Sequence, residues 1–245
     1  MKVDAGRETI TLSGPPRNTA AVVRLETPRH RVVPITIEIA GRPAIYRAFV
    51  RPFGVGKSQI RLRLPLDTPP GTYSGESMIG GKPRSVVLEV EPVEQIRVQP
   101  IRTVLSAAVG SAVEFGLTIV NDGNVPFDVP RAAAFDLDAA AGQDKALGRA
   151  LRAPLAQGER RVDRFFEEMR ESHGGEARVA VMSGAHRLEP GEASELTCRL
   201  DVPVMAKEGY TYLGAWQIGN AGHVIVVEVT RDARHKNGKT ARKQA

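Results

Sequence analysis

The chain has 245 residues, with 34 Lys and Arg against 28 Asp and Glu, and its formal net charge is +6. A single cysteine excludes an intrachain disulfide and a cysteine-based zinc cluster. No stretch reaches the roughly 20 apolar residues of a membrane-spanning helix, and the length suits one large domain or two ordinary ones.

The positive charge is concentrated at the end of the chain. Residues 231–245 contain six Lys and Arg and one Asp, which leaves about +1 for the rest. We therefore expect neither domain to carry a basic face. A tail of this composition is typical of a disordered, solvated segment. The alternative is contact with an anionic polymer or membrane surface. The cations available for such contact are Arg234, Lys236, Lys239, Arg242 and Lys243.

Short segments with alternating apolar and polar residues begin near the N-terminus and are separated by Gly- and Pro-containing turns. This pattern predicts about seven antiparallel strands before the proline-led linker Pro92–Gln95. The segments are 8–12, 21–25, 35–39, 45–50, 60–64, 72–79 and 86–90. A second set follows the linker at 111–120, 125–129, 178–182, 194–202, 211–218 and 224–229.

Part of the first set recurs in the second. Pro65, Gly71, Tyr73, Gly75, Ile79, Gly80, Val86, Glu89 and Val90 reappear as Pro203, Gly209, Tyr212, Gly214, Ile218, Gly219, Ile225, Glu228 and Val229. Internal similarity of this kind indicates repeated architecture. We therefore predict an all-β protein made of two antiparallel β-sandwiches, with domains at 1–92 and 96–230 and a basic disordered tail at 231–245.

The second copy departs from the first between residues 139 and 175, where the pattern becomes helical. Val162, Phe165, Phe166 and Met169 are spaced at i, i+3, i+4 and i+7, which predicts one apolar stripe on an otherwise charged helix. A shorter helical piece precedes it, and Gly174 and Gly175 are expected to end it. We predict a helical insertion at about 143–173. Its stripe either packs on the end of the sandwich or docks a partner protein.

The segment Gly54–Ser58 resembles the end of a phosphate-binding loop but fails as one. Arg51 stands where the motif needs a glycine, and the residues after Ser58 alternate like a strand instead of opening a helix. The same alternation predicts that Cys198 is a buried packing residue, opposite Ile60 of the first copy. Trp216, in the strand that contains Tyr212, is expected in the core or at the edge of the sandwich rather than in sugar stacking.

Catalytic and metal-binding residues are not predicted. The five histidines have no spacing of two to four residues, which metal sites usually show. Asp136 and Asp138 alternate on one strand face, but acid/base chemistry needs a partner across a cleft. Convergence of two or three of His173, His186 and Asp136 in the fold would reopen the enzyme hypothesis. The sequence therefore predicts no cofactor and no enzymatic activity.

Several turn motifs of the second copy resemble the bacterial immunoglobulin-like domains that are appended to secreted and cell-surface proteins. The matching segments are 119–126, 188–192, 202–203, 208–214 and 226–229. They correspond to an Asn-x-Gly-Asn turn after a strand, a Leu-x-Pro-Gly-Glu turn before one, and a Gly-x-Tyr-x-Gly segment near the end. The first copy keeps only the last of these, so the resemblance covers the second domain well and the first weakly.

The resemblance implies two immunoglobulin-like sandwiches in an exported, non-catalytic module of the bacterial cell envelope. Its function would be structural or protein-binding, with the helical insertion as the docking element. One alternative is a periplasmic chaperone or assembly factor for surface-structure subunits, which would present an exposed edge strand. Another is an accessory protein that binds an anionic surface through its tail. A cytoplasmic location stays open as the alternative to the periplasm.

Overall fold

A computed structural model of the protein describes residues 9–25, 30–39, 41–140, 142–155 and 158–231. The fold is mostly β, and the chain divides into two compact units. Unit 1 comprises residues 1–96, 121–127 and 187–192, and unit 2 comprises 97–120, 128–186 and 193–245. Within the described residues, no helix combines the length and the apolar character needed to cross a bilayer.

The main strand set of unit 1 contains seven strands, each of which has two neighbours. The strands are β1 (Thr9–Gly14), β2 (Thr19–Arg24), β3 (Arg31–Ile39), β4 (Arg42–Pro52), β5 (Lys57–Leu62), β6 (Gly71–Ile79) and β7 (Lys82–Val90), with a short 3-10 turn at Pro16–Asn18. Their order is β1-β2-β5-β4-β3-β6-β7, and a parallel pairing of β1 with β7 closes the set. All seven segments predicted from alternation are strands.

Unit 2 contains one eight-stranded sheet and two helices. The sheet strands are β8 (Ile96–Gln99), β9 (Arg102–Ala108), β10 (Ala112–Asn121), β12 (Ala132–Ala139), β13 (His173–Ser183), β15 (Ala193–Asp201), β16 (Thr211–Ile218) and β17 (Ala221–Thr230). The remaining elements are the paired strands β11 (Phe127–Asp128) and β14 (Arg187–Leu188), which belong to unit 1 except for Asp128, and the helices α1 (Gly142–Arg152) and α2 (Arg161–Ser172) of unit 2. The sheet order is β8-β10-β15-β13-β12-β16-β17-β9, with β9 parallel to β17.

The two strand orders are equivalent. Strands β8 and β9 together occupy the place that β1 has in unit 1. The other strands of unit 2 then follow in the equivalent order: β10, β15, β13, β12, β16 and β17 match β2, β5, β4, β3, β6 and β7. Two residues connect β3 to β4 in unit 1, whereas α1 and α2 lie between the equivalent strands β12 and β13 in unit 2. The repeat seen in the sequence is therefore a repeat of topology.

In each repeated Tyr-x-Gly segment, a neighbouring strand leaves no space for a side chain at the glycine. A Cβ on Gly75 would overlap the carbonyl oxygen of Thr36 on β3. A Cβ on the equivalent Gly214 would lie 2.5 Å from the ring of Phe135 on β12. Glycine therefore lets β6 and β16 approach the equivalent strands β3 and β12.

The repeated turns also have equivalent roles. Gly80 and Gly219 both have positive φ and begin the two-residue hairpins β6–β7 and β16–β17, as their turn chemistry predicts. The hydroxyl of Tyr73 donates to the carbonyl of Pro69 at 2.8 Å, and that of Tyr212 accepts from the backbone N–H of Lys207 at 3.0 Å. Each tyrosine therefore ties its strand to the turn before it.

One asparagine side chain connects a segment from the middle of the chain to the rest of unit 1. The buried amide of Asn124 donates to the carbonyls of Thr68 and Glu91, both at 3.0 Å. Its oxygen accepts from the backbone N–H of Val93 at 2.6 Å. Because buried backbone groups need partners, this one side chain satisfies three of them.

Three details of the predicted secondary structure are wrong. Strands β8 and β9 were not expected, and the extended segment predicted at 125–129 contains only the two-residue strand β11. Gly174 and Gly175 do not end the helix, because α2 stops at Ser172 and both glycines belong to β13. A Cβ on Gly174 would lie 2.6 Å from the ring of Tyr212, so this glycine serves packing.

Candidate protein-binding surface

The two helices of unit 2 form a hairpin held together by polar contacts at its turn. Arg161, the first residue of α2, donates from Nη1 to the carbonyls of Ala150 and Leu151 at 2.9 and 2.7 Å. These carbonyls end α1 and have no partner within their own helix, so the guanidinium caps it.

The start of α2 is stabilised by a second arginine. Both carboxylate oxygens of Asp163 accept from the Arg160 guanidinium, at 2.8 and 2.9 Å. These hydrogen bonds lower the pKa of Asp163 and raise the pKa of Arg160. An ionised carboxylate in the first turn also opposes the positive end of the helix dipole.

A buried carboxylate joins the helices further along the hairpin. Glu168 is 8% exposed, and its two oxygens lie 3.3 Å from Nη1 of Arg149 on α1 and 3.7 Å from Nε of Arg164. Hydrogen bonds to Tyr210 and to Glu168 raise the pKa of Arg149. A carboxylate at this depth needs cationic partners, since burial without them is costly.

Because Glu168 is on the buried side of α2, the four apolar residues of the predicted stripe differ in exposure. Phe165 and Met169 are half-buried, whereas Val162 and Phe166 are 47% and 58% exposed. The Phe165 and Phe166 rings touch at a centroid distance of 5.8 Å. Two of the four predicted residues are therefore half-buried, and two face solvent.

Further apolar side chains of the same helix hairpin are exposed. Leu147 and Leu151 are one turn apart on α1, and Leu155 follows the helix. Because Arg161 reaches Leu151 and Arg149 reaches Glu168, the helices run antiparallel, with Leu151 near the Val162 end and Leu147 nearer Phe166. We call these five residues the helix surface: Leu147, Leu151, Leu155, Val162 and Phe166.

The structure brings His173 together with the two aspartates of β12. Nε2 of His173 lies 3.9 Å from Asp136 and Nδ1 lies 3.5 Å from Asp138. The carboxylates face opposite ring nitrogens, so they do not point to a common position. His186 follows the far end of β13, away from this cluster. The described residues contain no group of three or more His, Cys, Asp or Glu placed to hold a metal ion.

The other residues of chemical interest lie in the core of unit 2. Cys198 and Trp216 are buried, as predicted, and burial raises the pKa of the Cys198 thiol to about 11. His223 is fully buried; its Nδ1 lies 2.9 Å from the Pro100 carbonyl oxygen, and its ring stacks on Phe115 at 6.2 Å. Desolvation lowers the pKa of His223.

The expectation that neither domain carries a basic face is wrong. Residues 9–92 contain 12 Lys and Arg against 6 Asp and Glu, while residues 93–230 contain 14 against 19. The net charge of about +1 outside the tail arises because the +6 of residues 9–92 is offset by the −5 of residues 93–230. On the exposed side of β4 and β5, Arg47, Arg51 and Arg61 surround the exposed ring of Phe49. The cations predicted in the tail, residues 234–243, lie outside the described residues.

Comparison with known proteins gives no family. No protein-family model matches the chain, and no curated protein matches it. A crystal structure of a protein of unknown function from Porphyromonas gingivalis W83 is 12% identical over 93% of this chain and 99% of that one, with a TM-score of 0.28. The titin fragment A168–A169 is 11% identical over 92% and 95%, with a TM-score of 0.31.

A third similar structure contains immunoglobulin domains in a complex. The structure of Dpr11 IG1 bound to DIP-gamma is 9% identical over 92% of this chain and 97% of that one, with a TM-score of 0.30. TM-scores of this size do not establish a shared fold. The architecture of each unit therefore rests on its own strand order and contacts.

Proposed function

We propose that this protein is a non-catalytic, protein-binding module whose docking element is the α1–α2 hairpin. The observation that carries this proposal is the helix surface. Val162 and Phe166 are exposed while the charged Glu168 of the same helix is buried. Exposed apolar groups gathered on one element, with polar groups around them, are typical of a protein interaction site.

Strand order supports an immunoglobulin-type sandwich for each unit. In unit 1 the first strand pairs antiparallel with β2 and parallel with β7, and in unit 2 β8 lies beside β10 while β9 pairs parallel with β17. The other strands follow the same sequence of neighbours in both. Under this proposal α1 and α2 are an insertion at the β12–β13 connection, which loops on a rigid sheet tolerate well.

Charges around the helix surface indicate the chemistry of the partner. Arg152 and Arg161 are exposed at the end of the hairpin where Leu151 and Val162 lie. A complementary partner has an apolar centre, which covers Phe166, and acidic side chains facing these arginines. Such charges guide association and orientation, while the apolar centre supplies most of the affinity.

The module is proposed to act in the bacterial cell envelope, on the strength of the turn motifs in the second copy. The chaperone alternative would require a free strand edge. Strands β1 to β7 each have neighbours on both sides, whereas the eight-stranded sheet ends at β8 and β9.

Photo-crosslinking in the source organism tests the docking element directly. A photoreactive phenylalanine analogue replaces Phe166 in one variant and Met182 in the other. Met182 is a matched control because it is similarly exposed and belongs to β13 of the same unit. We expect position 166 to give one dominant crosslinked protein that position 182 does not give.

Substitution then tests whether the contact supplies affinity. We expect Val162→Ser with Phe166→Ser to weaken binding of the crosslinked partner by about 2 kcal/mol or more and to leave the fold intact, because both side chains are exposed. Phe165→Ser, at a half-buried position, is expected to lower the melting temperature instead. Identical crosslinks from positions 166 and 182, or undiminished binding by the double variant, would refute the proposal.

A further inference from the structure

The β4–β5 hairpin of unit 1 ends in an apolar tip that the proposed function leaves unused. Phe53 is 50% exposed and Val55 is fully exposed. Gly54 and Gly56 have positive φ, and the N–H of Phe53 donates to the Lys57 carbonyl at 2.9 Å. The glycines permit this tight turn, which presents Phe53 and Val55 together at the end of the hairpin.

Cations flank the tip, and the hairpin itself contributes no acid. Arg51 on β4 and Lys57 on β5 lie at its base, and Arg24 on β2 is paired opposite Lys57 in the sheet register. Arg51 donates to the neutral amide oxygen of Gln59 at 2.8 Å. Residues 39–66 contain six Lys and Arg and no Asp or Glu. The positive charge of this hairpin is therefore not balanced within it.

We propose that this tip binds the surface of an anionic phospholipid bilayer. Two residues of extended chain rise roughly 7 Å, and apolar groups of interfacial proteins reach about 5–10 Å into the headgroup boundary. When Phe53 and Val55 enter that boundary, Arg51 and Lys57 lie level with the lipid phosphates. The guanidinium and ammonium groups then bind phosphate while the apolar tip leaves water.

A lipid surface fits this site better than a protein or a single-stranded nucleic acid. A nucleic-acid site needs aromatic faces along a charged groove, whereas Phe53 and Val55 stand at the end of a hairpin. A protein partner would have to enclose a narrow protrusion. A fluid bilayer boundary accepts such a protrusion and supplies negative charge all around its base.

Vesicle flotation with the full-length protein tests the proposal. The probes are vesicles of phosphatidylcholine alone and of phosphatidylcholine containing phosphatidylglycerol. We expect binding only to the anionic vesicles and a loss of about tenfold in Phe53→Ser with Val55→Ser. The matched control is Val22→Ser with Ile45→Ser, which removes two exposed apolar side chains of the same unit and should bind like the wild type. Arg51→Gln and Lys57→Gln should each cost about fivefold.

Further variants distinguish binding through the hairpin tip from binding through the tail or the helix surface. Val55→Trp should give a blue-shifted emission component on anionic vesicles, which reports entry into the bilayer. Conversion of the five tail cations to Gln and the Val162→Ser with Phe166→Ser variant should leave vesicle binding unchanged. The proposal is overturned if no vesicle is bound, if the tip variants bind normally, or if binding disappears only with the tail or helix variants. It is also overturned if single-stranded DNA competes with vesicles and is released by the same tip substitutions.

Discussion

The β4–β5 hairpin of unit 1 and the equivalent β13–β15 segment of unit 2 occupy the same place in the fold but carry opposite charge. Residues 39–66 have six cations and no acid, whereas residues 173–201 have three cations and five acids. In unit 2, Arg199 pairs with Asp201 at 3.1 Å and Arg178 with Glu176 at 3.2 Å. Equivalent topology therefore does not imply an equivalent surface.

The register identifies the positions that create this difference. Arg61 is equivalent to Arg199, since Ile60 and Cys198 occupy matching positions beside Val50 and Val181. The acid Asp201 is then replaced by Arg63 in unit 1, and Glu176 is replaced by Ile45. Unit 1 therefore lacks the two acids that form ion pairs in unit 2, and it has the exposed apolar side chain of Ile45 in place of one of them. Unit 1 thereby acquires unbalanced charge beside apolar groups, which suits binding more than stability.

The largest effect is expected where the two units are most alike. Gly75→Ala should destabilise unit 1 by about 3 kcal/mol or more, because the new Cβ overlaps a backbone oxygen. Gly214→Ala should cost about 1 to 2 kcal/mol, because the half-buried Phe135 ring is a side chain that can shift. Denaturant unfolding followed by hydrogen exchange in each unit measures both. Equal costs would mean that the two glycines are not constrained as the structure indicates.

An intermediate effect is expected from a buried pair that differs between the units. Trp216 lies opposite His223 in unit 2, and the equivalent residues of unit 1 are Ser77 and Arg84. Because burial lowers the pKa of His223, this side chain binds a proton at a higher pH in the unfolded chain than in the folded unit. Stability of unit 2 should be constant above the ordinary histidine pKa of about 6.5 and decrease as the pH falls below it.

Hydrogen exchange at two pH values checks this prediction. Between neutral pH and mildly acidic pH, β16 and β17 should lose more protection than β6 and β7. The variant His223→Phe should lose this dependence, whereas His173→Gln, at a half-buried site, should retain it. Equal pH sensitivity of the two units would contradict a role for His223.

The smallest effect is expected from the surface exchange itself. Arg63→Asp places an acid beside Arg61 as Asp201 lies beside Arg199. Surface ion pairs contribute little, so we expect unit 1 to gain about 0.5 kcal/mol or less at low salt and nothing at high salt. Chemical denaturation at two ionic strengths measures the change. A large change at either salt concentration would show that Arg63 has a structural role.

Sequence reasoning was most successful for elements with a local signal. Alternation located all seven strands of unit 1, and turn chemistry located the hairpins at Gly80 and Gly219. It missed β8 and β9, since β8 has only four residues and the detected repeat does not extend to either strand. For the candidate surface, periodicity predicted the helix and its four apolar residues, but it could not show that Phe166 faces solvent and Phe165 packs. Nor did the overall charge reveal the basic hairpin, because the count was summed over both halves.

By itself the sequence determined the β character, the repeated strand-turn pattern and the helical segment, because these depend on residues a few positions apart. Only the tertiary structure decided that Glu168 is buried, that Asn124 satisfies three backbone groups of unit 1, and that Arg24 of β2 lies opposite Lys57 beside the hairpin tip. These features depend on contacts between residues distant in sequence. Burial of a charge becomes favourable only when such contacts supply its partners.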